Sequence, residues 1–133
     1  MHPEDDPSIV DATDLWRRIH PDWVVPDENT GKLRPSSQAF NNDPQGGPMS
    51  IYLEPEVLRS GRSAEDVLRG YPGYAMVAFT AGAARGQNQG VRAEPLKEEP
   101  AHGLVVGDKP RSVRQALARQ SHWVIAPTDK VLD

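Results

Sequence analysis

The sequence predicts an α+β fold: a small mixed or antiparallel sheet of four to six short strands, one main helix near 111–121 packed on one face, and long ordered loops. Three observations carry that expectation. Short runs of strand formers recur between turn residues. Only one segment keeps a sustained helical period. The 13 prolines and 11 glycines interrupt a chain of 133 residues too often for an idealised helical bundle.

Taken in chain order, residues 1–12 are rich in Asp, Glu and Pro and offer little to bury, so they read as a flexible acidic lead-in. Leu15-Trp16-Arg17-Arg18-Ile19, followed by His20-Pro21, reads as a strand. Trp23-Val24-Val25, bracketed by Pro21 and Pro26, reads as a short edge strand. Residues 26–48 are dominated by Pro, Gly, Asn, Asp and Ser and read as a long loop, pinned to the core through Leu33 and Phe40. Met49-Ser50-Ile51-Tyr52-Leu53 is the next strand, with Glu54-Pro55 read as its end. Ser63 with Asp66 forms a capping-box pattern that opens a short helix ending near Gly70.

Tyr74 through Phe79 has the strongest strand signal, and Thr80 is placed to cap an alanine-rich turn over Ala81 to Arg85. Residues 86–101 read as a second long connection, and Gly103-Leu104-Val105-Val106-Gly107 as a buried strand. Arg111 to Gln120 is an amphipathic helix with Val113, Ala116, Leu117 and Gln120 on one face and Arg111, Arg114 and Arg119 mostly elsewhere. His122-Trp123-Val124-Ile125 is a last strand before a loose tail at 128–133, which leaves one domain over 13–127.

Composition narrows the functional classes. There is no cysteine, hence no disulfide framework, thiolate metal site or cysteine nucleophile, and a reducing, cytoplasmic setting is expected. The longest apolar run, Ala75 to Phe79, is far too short for a membrane span, and the acidic start Met1-His2-Pro3-Glu4-Asp5-Asp6 lacks the pattern of a secretory signal. The formal charge of −4 is uneven: 13 acids against 6 bases over residues 1–66, and 6 acids against 9 bases over 67–133. That second half is too weakly basic to predict a nucleic-acid footprint, although Lys109, Arg111, Arg114 and Arg119 remain candidates for phosphate contacts. No metal-ligand spacing and no phosphate-binding glycine motif occurs, so no metal and no cofactor is expected.

Two constellations carry chemistry. His20 and His102 each sit at the mouth of a strand, where paired imidazoles could serve as acid and base for phosphodiester chemistry. Each could equally fix its loop through a backbone hydrogen bond. Arg34-Pro35-Ser36-Ser37 brings a guanidinium and two hydroxyls together and could hold an anion, with Arg17 and Arg18 as further anion-holding groups, or could simply be a turn. An order of a strand bearing Leu15-Trp16-Arg17, a serine-containing loop and a later Ile51-Tyr52-Leu53 resembles the layout of ADP-ribosyltransferase-like domains. The glutamate such enzymes carry near a late strand has no counterpart here, so the resemblance assigns no site residue.

The sequence therefore predicts an accessory or interaction protein that presents loops 26–48 and 86–102 to a protein partner or a second copy, with a small anionic ligand as a further option. The competing expectation is an enzyme acting on a nucleotide or nucleic-acid phosphodiester, in which His20, Arg34 and His102 surround one pocket and the imidazoles lie within about 12 Å.

Overall fold

A computed structural model describes residues 2–128 of the chain. Apart from Thr128, the tail expected over 128–133 lies outside the described residues. The fold is α+β. Six strands form one antiparallel sheet, β1 (Asp14–Ile19), β4 (Met49–Leu53), β5 (Ala75–Thr80), β6 (Gly90–Ala93), β7 (His102–Val106) and β8 (His122–Ile125), in the order β6-β7-β4-β1-β5-β8. A separate two-stranded ribbon pairs β2 (Val24–Pro26) with β3 (Leu33–Pro35). Helices α1 (Glu54–Arg59), α2 (Ala64–Val67) and α3 (Ala81–Arg85) are short, and α4 (Arg111–Gln120) is the long one.

Alternation along the strands sorts the side chains onto two faces. One face carries Leu15, Ile19, Met49, Ile51, Val77, Phe79, Val91 and Val105 and is closed by Phe40, Ala84 and Leu117. The other carries Trp16, Tyr52, Met76 and Ala78 and is closed by Val57, Ala64, Val67 and Ala101. Strand β5 is buried on both sides from Ala75 to Phe79, which explains its uninterrupted apolar run. Each of its larger side chains contributes about 1.5–3 kcal/mol on burial.

Several local expectations change in the structure. Residues 26–48 are not one loop: Leu33–Pro35 pairs with Val24–Pro26, and Ser37–Phe40 winds into a 3₁₀ turn capped by the Ser36 hydroxyl. The short edge strand read at Trp23 to Val25 is Val24–Pro26 of this two-stranded ribbon, and Trp23 ends a 3₁₀ turn over Pro21–Trp23. Residues 86–101 contain β6, whose partner is β7. Glu54-Pro55, read as a stop, opens α1, because proline lacks an amide where a helix's first turn needs none. The lead-in is tied down: the Asp6 amide donates to the Val91 carbonyl at 2.9 Å, and the Asp5 carboxylate accepts from the Val91 amide at 2.9 Å.

Gly107 follows β7 with φ +145°, and a Cβ there would stand 2.6 Å from the Gln89 side-chain oxygen.

Candidate functional site

The two sequence segments suspected of holding anions meet at one edge of the molecule. Asp27 opens the turn between β2 and β3 by accepting amides of Asn29 and Thr30 at its Oδ1, bonds that hold its carboxyl below the usual range. The ribbon is anchored to β8 because Trp123 Nε1 donates to the Leu33 carbonyl at 3.2 Å. Helix α4 packs its Ala116 and Leu117 side inward and lies against the 3₁₀ turn at Ser37–Phe40. Its polar side then faces the ribbon across an open groove of about 580 Å³.

Arg34, Ser36 and Ser37 line this groove from the ribbon side, and Arg111, Gln115, Arg119, His122 and Trp123 from the opposite side. The spacing of Arg111, Gln115 and Arg119 is four residues, which puts all three on one stripe of α4. Asp27 is the single acid among the lining residues, against three arginines. It stands 3.7 Å from Arg34 Nε, while Arg34 Nη1 reaches only its neighbour's carbonyl, Pro35 O, at 3.3 Å. The side chains of Arg111 and Arg119 have no ion pair or hydrogen bond among the described residues, and both residues are exposed. Ser36 Oγ accepts the Gln38 amide at 3.2 Å, leaving its proton free to donate outward.

The structure does not bring His20 and His102 together. Tyr52 faces both Trp16 and His102 across the β4 ladders, so His102 is level with Trp16, whereas His20 follows β1 four residues further on. Those four residues and the two intervening strand spacings put the backbones roughly 16 Å apart. Each ring has its own surroundings. His20 accepts the Asp22 amide at Nδ1 and packs edge-on against Tyr74, its ring centroid 5.1 Å away. His102 contacts the Glu94 carbonyl through Nδ1 at 3.0 Å and the Ser50 hydroxyl through Nε2 at 3.1 Å. Neither imidazole lines the arginine groove.

Arg17 and Arg18 are occupied elsewhere. Arg17 points into the first face, donating to Ala39 O at 2.9 Å and Ser50 O at 2.7 Å, so it ties the 3₁₀ turn and β4 to β1. Burial, reinforced by Arg18, pulls its guanidinium down to about 10. The Arg18 guanidinium lies on the opposite face, 3.7 Å from the Tyr71 ring centroid and 5.1 Å from that of Tyr52. Of the five anion-holding candidates, the groove gathers Arg34, Ser36 and Ser37 only.

One feature was missed by sequence reasoning, and one phosphate-contact candidate is spent inside the fold. Ser50 looked like any strand residue, and nothing local marks its partner 52 positions away. Lys109, expected as a candidate phosphate contact, is instead buried with its Nζ donating to Asn42 Oδ1, Val105 O and Gly107 O, and burial with the nearby Arg17 charge pulls it down to about 8.

The two long connections do converge, at a second groove of about 610 Å³ where Asn42 and Gly46–Pro48 face Gln87, Asn88 and Gln89. None of the candidate histidines or arginines lines it. Among the described residues no cluster of three or more His, Asp or Glu side chains could hold a metal ion, and no helix is long and apolar enough to cross a membrane. Comparison with protein-family models, with curated proteins and with solved structures yields no match for this chain.

Proposed function

We propose that this protein is a binding module for a phosphorylated or otherwise multiply anionic partner, received in the groove between the β2–β3 ribbon and α4–β8. The observation that carries this reading is the convergence of Arg34, Arg111 and Arg119 on one concavity, two of them with no partner among the described residues, in a chain whose net charge is −4. Unpaired arginines on a globular surface normally spread apart, because like charges repel. Gathering three around neutral donors such as Ser37 and Gln115 matches the fork-shaped recognition of phosphate oxygens. A site of this shape needs no catalytic group. It accords with an accessory protein that presents part of its 26–48 segment to a partner.

Inorganic pyrophosphate is a suitable first probe, with Trp123 in the groove wall as the fluorescence reporter. Binding should weaken as salt rises from low to physiological ionic strength, because the contacts are charge-assisted and partly exposed. A double substitution Arg111→Glu and Arg119→Glu should lower the affinity at least about tenfold, a loss of about 1.4 kcal/mol, while leaving the thermal midpoint nearly unchanged. Equal affinity in the wild type and the double variant would overturn the reading.

A further inference from the structure

A separate arrangement on the opposite side of the sheet points to chemistry rather than binding. Ser50 on β4 and His102 on β7 lie on the same face, since Tyr52 pairs with His102 and Ser50 with Leu104. The Ser50 hydroxyl stands 3.1 Å from His102 Nε2, and His102 Nδ1 stands 3.0 Å from the Glu94 carbonyl oxygen. A carbonyl can only accept, so this contact is a hydrogen bond only if Nδ1 carries a proton. In a neutral imidazole that leaves Nε2 with its lone pair, and the Ser50 O–H must be the donor. The proton on the hydroxyl is thus already directed at a base whose tautomer and orientation are held from behind. The Glu94 carboxylate lies 3.6 Å from Nδ1.

A purely structural serine at a strand centre would be satisfied equally well by any backbone carbonyl. Here the acceptor is a titratable ring that is largely shielded from water, its side chain 12% exposed. Ser50 itself is half-buried. The same face holds two cations: Arg92, paired with Leu104 across the β6–β7 ladder, and Arg18 on β1. Arg92 Nε is buried without a hydrogen-bond partner, while its Nη2 stands 3.7 Å from the Glu4 carboxylate and 3.8 Å from that of Glu94.

We propose that Ser50 and His102 form a nucleophile and general base that accept an acyl group from an ester. Ser50 Oγ attacks the ester carbonyl carbon as its proton passes to His102 Nε2, forming the Oγ–C bond. The tetrahedral adduct then collapses: the bond from carbon to the alcohol oxygen breaks, and the alcohol leaves with the proton from His102. Water attacks the acyl-serine next, giving its proton to His102 Nε2. Ser50 Oγ departs from carbon and recovers that proton as the carboxylic acid is released. This site is independent of the arginine groove, and either can fail without the other.

The absence of cysteine from the chain makes a clean test possible. In Ser50→Cys the only thiol sits where His102 can deprotonate it, so iodoacetamide should alkylate it at neutral pH at least about tenfold faster than free cysteine. Adding His102→Gln should remove that advantage. If the double variant does not fold, the comparison of Ser50→Cys with free cysteine still decides the matter. On the wild type, a fluorophosphonate probe should modify Ser50, seen by peptide mass mapping, with loss of fluoride and no labelling of Ser50→Ala. Alkylation of the Ser50→Cys variant no faster than that of free cysteine, or a fluorophosphonate adduct absent from Ser50 in the folded wild type, overturns the proposal.

Discussion

Arg85 and Asp5 are 80 residues apart in the chain and 3.0 Å apart in space, with the Asp5 side chain only 1% exposed. The same guanidinium donates to Asp11 Oδ1 at 2.7 Å and to the Asp6 carbonyl at 3.0 Å. One side chain at the end of α3 therefore gathers three points of an acidic segment whose Ile9 also packs against the core.

Arg85→Met tests whether that clasp holds the N-terminal segment. Asp5 would keep its bond from the Val91 amide but lose its charge partner in a nearly dry site. The expected cost is about 3 kcal/mol in urea denaturation, because a buried carboxylate left without its cation is expensive. Hydrogen exchange at the Asp6 and Val91 amides should quicken in the variant. A loss below about 0.5 kcal/mol would mark the contact as a screened surface pair.

Arg17→Lys tests the internal tie between β1, β4 and the 3₁₀ turn. The planar fork reaches Ala39 O and Ser50 O at once, a geometry a single ammonium cannot reproduce from the same stem. One carbonyl should be left without its donor, and stability should fall by about 1–2 kcal/mol. An unchanged denaturation midpoint would show that the substituted ammonium, or a water beside it, restores both bonds.

Lys109 predicts a pH dependence. Its ammonium sits near 8 in the fold against 10.5 when exposed, so between those values the unfolded chain binds more protons than the folded one. Below pH 8 both states are protonated, and the fold carries the full cost of burying the charge. As pH climbs from 8 toward 10 that cost is relieved. The wild type should gain stability relative to Lys109→Met over this window, read as the difference between paired denaturation curves. A difference that stays flat or falls from pH 8 to 10 would contradict it.

How much of this was legible follows from where each residue gets its partners. Strand β5 was plain in the sequence because it is buried on both faces, leaving no polar residue to interrupt it from Ala75 to Phe79. Helix α4 was plain because Ala116 and Leu117 face inward while Arg111, Gln115 and Arg119 face out. Strand β6 was not: it pairs only with β7, and its four residues Gly90-Val91-Arg92-Ala93 carry no alternating signal. Strand β3 was hidden for a similar reason, since Leu33-Arg34-Pro35 becomes a strand only when Val24–Pro26 lies beside it. The acidic lead-in looked loose because its anchor, Arg85, lies outside its own neighbourhood.

The sequence by itself determined the α+β class, the long helix and the central strands, because those depend on side-chain period and chemistry within a few residues. Only the tertiary structure decided that α4 would turn Arg111 and Arg119 toward the segment bearing Arg34, Ser36 and Ser37. It also separated His102 from His20 and gave it Ser50 as a neighbour. Such pairings depend on strand order and register, which arise from the packing of the whole sheet and leave no mark on either partner's local sequence.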